Sequence, residues 1–281
     1  MRVALPASLD QAVEALAEMP DAQLLAGGTD FCVEVNFGHR RPAAVVALRR
    51  VEELRGWHAG DSEVRIGAGV TYTTMANELA GVLPALAAAA RTVGSPQIRN
   101  AGTLGGNVAT ASPAGDTLPL LAALDARIAL RGPAGEREVP LEELITGVKR
   151  TGIAGDEVVV AATVRRVRGP QEFLKVGTRN AMVIAIASAA VVVDPEREEV
   201  RCALGSVGPL PVRARRAEEV VAEAMDWDRL EAPDAAVRRF AELAAEAAAP
   251  ITDHRGTAEY RRQAVSVIAQ RGLRRCLRRV A

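Results

Sequence analysis

Gly102-Thr103-Leu104-Gly105-Gly106-Asn107-Val108-Ala109-Thr110-Ala111-Ser112-Pro113-Ala114-Gly115-Asp116 is the stretch on which the reading of this chain turns. It ends a dense loop predicted from Gly94 onward, which follows an alanine-rich helix predicted over residues 83–93. Its adjacent glycines, Gly105 and Gly106, have a counterpart in Ala26-Gly27-Gly28-Thr29-Asp30, which follows a short apolar strand predicted over 22–26. A glycine pair permits positive φ and removes two Cβ atoms, so successive backbone N–H groups can close on an anion. A diphosphate is the natural guest, because several amide dipoles share its charge without a lysine. Thr29, Thr103 and Asn107 add side-chain donors at the same rim. Neither a P-loop (GxxxxGKS or GxxxxGKT) nor a Rossmann GxGxxG is present, so the implied dinucleotide sits on a different scaffold. Each loop taken singly also reads as an ordinary tight turn.

Working outward, Ser8 opens a capping box in which Gln11 can reach back to the Ser8 amide, and Pro20 stops the helix that follows. Strands are predicted over 44–48, 64–70, 127–131 and 156–164; Thr71 can cap a helix over 72–79, and Asp116 one over 117–123. Past Gly169-Pro170 the pattern changes to a three-strand meander over 173–178, 183–193 and 199–206. Helices over 214–224, 234–247 and 257 to the end follow it. Early βα alternation followed by a meander and helices makes the fold α+β, with a domain boundary near 168–172.

The chain has 281 residues, 49% of them hydrophobic, which allows about two domains of ordinary size. Its 35 basic residues cancel its 35 acidic ones, which argues against a nucleic-acid partner. No apolar run reaches the roughly 18 residues of a membrane span, and no secretory signal opens the chain, so a soluble cytoplasmic protein is expected. Cys32, Cys202 and Cys276 are odd in number and widely spaced, excluding a disulfide framework and an iron–sulfur cluster of the chain's own. Cys32 reads as a small buried hydrophobe, and His39, His58 and His254 share no metal spacing. No metal site and no catalytic triad is expected. Arg271, Arg274, Arg275, Arg278 and Arg279 crowd the last helix, as a solvated face near the negative end of its dipole.

Together, the two glycine loops in this order resemble the FAD-binding (medium) subunit of the molybdenum hydroxylases of xanthine, carbon monoxide and aldehyde or nicotinate dehydrogenase type. The resemblance extends to Phe173-Leu174-Lys175-Val176-Gly177-Thr178-Arg179 and to the run from Asp253 to Arg262. It implies a PCMH-type FAD-binding domain over 1–168, with lobes of about 1–56 and 57–168, and a C-terminal domain over 169–281 with a three-stranded antiparallel sheet and helices. It also carries over roles. Leu25, Ala26, Gly27, Gly28, Thr29, Asp30 and Phe31 match the first FAD loop; Val93 and Gly94 match positions lining the flavin pocket. Gly102, Thr103, Leu104, Gly105, Gly106 and Asn107 match the second diphosphate loop, and Asp116 an acid that bonds a cofactor hydroxyl. Val158 or Val159 matches an apolar contact, and Lys175 the lysine near the flavin end.

On the same ground the chain is an oxidoreductase subunit that takes electrons from a partner's [2Fe–2S] clusters and passes them through FAD to NAD, a quinone or oxygen. Its partners are a [2Fe–2S] small subunit and a molybdopterin large subunit, in a heterotrimer that can pair with a second. The chain departs from the pattern at Met182-Val183-Ile184-Ala185, where many relatives carry an acid before Ile-Ala; losing it puts NAD in doubt as acceptor. The residues themselves leave other readings open. Lys175 also reads as a surface lysine on an edge strand, Asp116 as a plain helix cap, and Asp30 as a loop acid. A self-sufficient flavin oxidoreductase is the alternative; it needs an acid or base beside the loops, for which Tyr72 is the nearest candidate.

Overall fold

Parallel pairing organises the first lobe of the chain. In the computed structural model, which describes residues 1–278, β1 (Arg2–Ala4), α1 (Leu9–Glu18), β2 (Ala22–Leu25), α2 (Phe31–Asn36) and β3 (Ala44–Ala47) form a parallel sheet of order β1-β3-β2 with α1 as a crossover. Leu9, Ala12, Val13 and Leu16 give α1 its buried face. Ser8 caps it by accepting from the Gln11 N–H, while the Gln11 side chain accepts from the Ala7 amide rather than that of Ser8. α2 buries none of its residues.

The second lobe holds β4 (Trp57–Ala59), β5 (Glu63–Gly67), α3 (Tyr72–Glu78), α4 (Pro84–Thr92), α5 (Pro96–Ala101), α6 (Leu104–Thr110) and α7 (Leu118–Ala123). It continues through β6 (Arg127–Gly132), β7 (Gly135–Pro140), α8 (Leu141–Leu144), β8 (Ile145–Gly147), β9 (Arg150–Thr151) and β10 (Val158–Arg165). Its main sheet is antiparallel, in the order β4-β5-β10-β6-β7. The dense loop expected after Gly94 is in fact two helices. Ser95 caps α5 with Pro96 at its first position, and Thr103 caps α6 by accepting from the Gly106 N–H, which overrides the low helix propensity of Gly105 and Gly106.

The C-terminal part contains β11 (Gln171–Val176), β12 (Ala187–Asp194), β13 (Glu199–Gly205), β14 (Val212–Arg213), α9 (Arg215–Ala224), α10 (Asp234–Ala247) and α11 (Ala258–Arg278). Its antiparallel sheet has four strands, not the three expected; β14 is two residues long and pairs with Ala203 and Leu204, too short for any periodic signal. The second meander strand starts at Ala187, not Val183. Arg179 donates to the Ala181 and Met182 carbonyls, and Val183 folds back onto Gly177, so this segment loops out before pairing begins. Residue Arg279 and the end of the last predicted helix lie outside the described residues.

β12 is buried along its whole length, which explains its apolar run, interrupted only by Ser188 before Asp194 ends it. Ala190 and Val192 pack into the core shared with the N-terminal half, while Ala189, Val191 and Val193 face the core under α9, α10 and α11. α7 lies against β12 and β13 and so belongs to both halves. Charged residues seal the edge of this contact: Arg165 pairs with Asp194 at 2.8 Å and Glu199 at 3.1 Å, and Asp125 receives Arg213 at 3.0 Å and Arg201. Among the described residues, no helix is long and apolar enough to cross a membrane.

Leu121 of α7 is fully buried at this junction. Leu121→Ala is expected to lower the unfolding free energy by about 2–5 kcal/mol, read by urea denaturation, through the cavity it leaves.

Candidate cofactor-binding site

The first glycine loop leaves the C-terminal end of β2 and doubles back into α2. Gly28 has φ +73°, a conformation that L side chains rarely adopt. A Cβ on Gly27 would lie 1.8 Å from the Ala101 carbonyl oxygen at the end of α5, so only glycine lets the two loops meet. The N–H groups of Gly27, Gly28, Thr29, Asp30 and Phe31 donate to no group within the described residues. They form a run of donors set by backbone alone, half-buried except at the exposed Asp30.

The second loop is built differently. The Leu104 N–H donates to Val70 O (2.9 Å), that of Gly105 to Ala68 O (2.8 Å), and that of Gly106 to the Thr103 hydroxyl (3.1 Å). Its amides are therefore committed, contrary to the expectation of a second anion nest. A Cβ on Gly105 would stand 2.6 Å from the Ala68 Cβ, so this glycine permits close packing of α6 on the segment after β5. Gly106, Thr103 and Asn107 do face outward. The Thr103 hydroxyl keeps its own proton to give, and Asn107 accepts from the Thr117 hydroxyl at 2.6 Å, leaving its amide N–H groups unused.

These elements bound one cavity of about 920 Å³, with Ala26 to Phe31 on one wall and Thr103, Gly105, Gly106 and Asn107 on the other. Val159 lines it beside a β-bulge in β10, whereas Val158 is wholly buried and does not. At one rim Glu34 bonds Arg40 (2.8 Å) and Lys149 (3.1 Å), and the Lys149 contact leads in holding its carboxyl below the usual range.

The remaining sequence-predicted residues stand outside this wall. Leu25 borders an adjoining hollow of about 530 Å³ together with Cys32, which is exposed rather than buried as expected, because α2 buries none of its residues. Leu104 is core, and Val93 and Gly94 present their carbonyls to Arg99 at 3.0 and 2.9 Å. Gly102 lacks a side chain where the Tyr72 ring lies.

Asp116 does not cap α7; Thr117 holds the capping position, and Asp116 turns to Lys175 instead. Lys175 Nζ lies 2.5 Å from Asp116 Oδ2 and 3.2 Å from the Thr92 carbonyl, and its side chain is only 8% exposed, which removes the surface-lysine reading. Burial pushes the Asp116 carboxyl above the usual range, and the Lys175 charge opposes it. The other oxygen, Asp116 Oδ1, is buried without a hydrogen-bond partner. Sequence reasoning did not anticipate Thr71, Asn100 and Lys149 in the cavity wall; none carries a local signal.

The donor run at Gly27–Phe31 suits a diphosphate, and the cavity has the size of a ligand site. The residues present fit a flavin dinucleotide. Comparison with known proteins agrees. Residues 1–164 match the family model described as the FAD binding domain in molybdopterin dehydrogenase, and 172–276 that of the CO dehydrogenase flavoprotein C-terminal domain. The xanthine dehydrogenase FAD-binding subunit of Escherichia coli O157:H7 is 30% identical over 276 residues, covering 94% of this chain and 92% of that protein. The carbon monoxide dehydrogenase medium chain of Hydrogenophaga pseudoflava is 31% identical over 280 residues, covering 95% and 94%. A chain in the crystal structure of quinoline 2-oxidoreductase from Pseudomonas putida 86 superposes with a TM-score of 0.90 at 27% identity, covering 100% of this chain and 98% of that one. The fold and site define an FAD-binding oxidoreductase subunit. The chain belongs to the family of FAD-binding subunits of molybdenum hydroxylases.

Because burial raises the Asp116 pKa, its favourable linkage is complete below the unfolded value and is lost as pH climbs through the folded one. Lys175→Met leaves that carboxylate buried and uncompensated. It is expected to cost about 3–5 kcal/mol near pH 8 and distinctly less near pH 4, where Asp116 takes up a proton; urea denaturation at both pH values reads the difference.

Proposed function

We propose that this chain carries electrons, through FAD, from the [2Fe–2S] clusters of a small partner subunit to an external acceptor, while a molybdopterin large subunit oxidises the substrate. The observation that carries this reading is the run of five free N–H groups at Gly27–Phe31, meeting Gly106 and Thr103 across one cavity. FAD, when bound, supplies redox chemistry that accepts and releases electrons singly or in pairs, and the protein's part is to hold and tune it.

The division of labour among the residues follows from their chemistry. The first loop and the Thr29 and Thr103 hydroxyls bind the diphosphate, and Asn107 adds amide donors beside them. Val159 supplies an apolar contact with the cofactor. Asp116 and Lys175, a buried pair outside the cavity wall, serve the flavin end through the Lys175 charge that Asp116 holds in place. Leu25, Val93, Gly94, Gly102 and Leu104 shape the loops around them. The multisubunit setting is supported by the relatives' names, which include a medium subunit of nicotine 6-hydroxylase and a medium chain of carbon monoxide dehydrogenase.

For the acceptor, the segment after Arg179 exposes Met182 and Ile184 by 53% and 51%, in the run that departs from the pattern of an acid before Ile-Ala. That apolar surface supports a quinone or oxygen over NAD. The free, exposed thiol of Cys32 supports a reducing, cytoplasmic compartment. The domain division belongs between 168 and 169, since β10 ends at Arg165 and β11 begins at Gln171; the lobes part near 56 and 57, just before β4. The self-sufficient alternative needs a group that exchanges protons near neutral pH, and Tyr72, held protonated by burial and by Asp116 and Asp30, is not one.

Two measurements test the proposal. The complex taken from its host should carry iron, molybdenum and a flavin absorption band together; a complex with flavin but neither metal would overturn the partner assignment. In the full chain, Gly106→Val places a branched side chain in the cavity, where a Cβ meets only the Thr103 hydroxyl at 3.1 Å. FAD affinity should fall at least about tenfold, or 1.4 kcal/mol, and unchanged titration would count against the cavity as the site.

A further inference from the structure

Tyr72 is a cavity residue that no role above requires. It begins α3 just after the Thr71 cap, and its N–H donates to the Gly102 carbonyl at 3.1 Å. Its ring occupies the space a side chain on Gly102 would need: a Cβ there would stand 2.8 Å from Tyr72 Cε2 and 3.0 Å from Cδ2. The position is thus fixed by backbone on one side and by an absent side chain on the other. Only 6% of the residue is exposed, yet it forms part of the cavity wall. Its hydroxyl has no hydrogen-bond partner among the described residues and is not among the sealed, unpartnered atoms, so it opens on the cavity.

A phenol with no protein partner gains nothing from its hydroxyl in the fold itself. A phenylalanine would fill the same space. Two acids, Asp30 in the first loop and Asp116 before α7, lie near enough to act on the phenol, and burial together with both charges holds its proton in place. Neither acid accepts a hydrogen bond from it. The hydroxyl is therefore a neutral donor in the field of two negative groups, on a residue of the cavity wall that the first loop shares.

We propose that the Tyr72 hydroxyl donates a hydrogen bond to an oxygen of the ribityl–diphosphate stretch of FAD, making Tyr72 a cofactor-holding residue of this chain. The inference rests on the FAD reading given above and adds a donor from α3 to those of the two loops. A neutral donor at this point also offsets the repulsion that Asp30 and Asp116 exert on an anionic cofactor.

Tyr72→Phe keeps the ring and removes only the hydroxyl, which separates the proposal from a purely structural role. In the chain without FAD the variant should melt at the same temperature as the parent or higher, because an unpartnered polar group has been removed. FAD affinity, measured by fluorescence titration of the full chain, should fall about tenfold, which is 1.4 kcal/mol. Equal affinity in parent and variant would overturn the inference while leaving the FAD site intact. Failure of the parent itself to bind FAD would instead overturn the reading on which it rests. A second measurement needs no change at Tyr72. In a Tyr260→Phe background, Tyr72 is the one tyrosine left, and its ultraviolet resonance Raman doublet reports whether the hydroxyl donates. FAD addition should move the doublet to the donor state, and a doublet that does not move would refute the bond.

Discussion

The approach of Gly27 to the Ala101 carbonyl is the contact on which the rest of the site depends. A Cβ at Gly27 would fall within bonding distance of that oxygen, so the α-carbon itself forms the junction between the parallel-sheet lobe and the helices after β5. With the loops held together there, Gly28 can turn at positive φ and the N–H groups up to Phe31 can point into one space. Donors left without acceptors among the described residues carry an energetic penalty where they are half-buried. α2, which buries nothing, adds little to offset it. The loop is consistent with a place built for a charged guest rather than for packing.

The two loops look alike in sequence and differ in what their glycines do. In the first, glycine frees backbone donors. In the second, the N–H groups of Leu104, Gly105 and Gly106 are taken by Val70, Ala68 and Thr103, and the missing Cβ of Gly105 serves to bring α6 down on Ala68. One loop is a nest and the other a wall. The wall leads through Pro113 and Asp116 into α7, which packs on the C-terminal sheet, so the site and the domain junction share a boundary. Lys175 reaches across that boundary, and pairing it with Asp116 keeps both charges tolerable in a dry setting only while each has the other.

How much of this was legible in the sequence depended on the range of the signal. Ser8, Thr71 and the apolar face of α1 act within a few residues, and each did what its local pattern predicts. β12 was visible because burial on both faces leaves a nearly continuous apolar run, although its first residues were misplaced by the Arg179 contacts that hold the preceding loop. α5 and α6 were hidden because glycine and proline are read as breakers, whereas Ser95 and Thr103 cap helices that tertiary packing then sustains. β14 is too short to have a period. The pairing of the glycine loops was legible from the resemblance of the whole motif. The Asp116–Lys175 contact was not, since nothing local relates residues so far apart, and each had an adequate local reading as a cap or a surface charge.

Two groups in the cavity wall have their protonation fixed. Tyr72 is held protonated by burial and two neighbouring acids, and Glu34 is held ionised by Lys149 and Arg40. Asp116 lies against a lysine that opposes the effect of its burial. A site that performs acid–base catalysis needs the contrary, a group poised to exchange its proton near the working pH. A site that moves electrons needs a steady field around the carrier, because its potential follows the charges nearby. The same burial that makes each of these side chains unsuited to proton exchange makes it effective as a fixed charge or dipole, since low polarizability of the surroundings leaves its field unscreened. On the proposed reading, fixed charges and dipoles of this kind are what a redox subunit needs around its carrier.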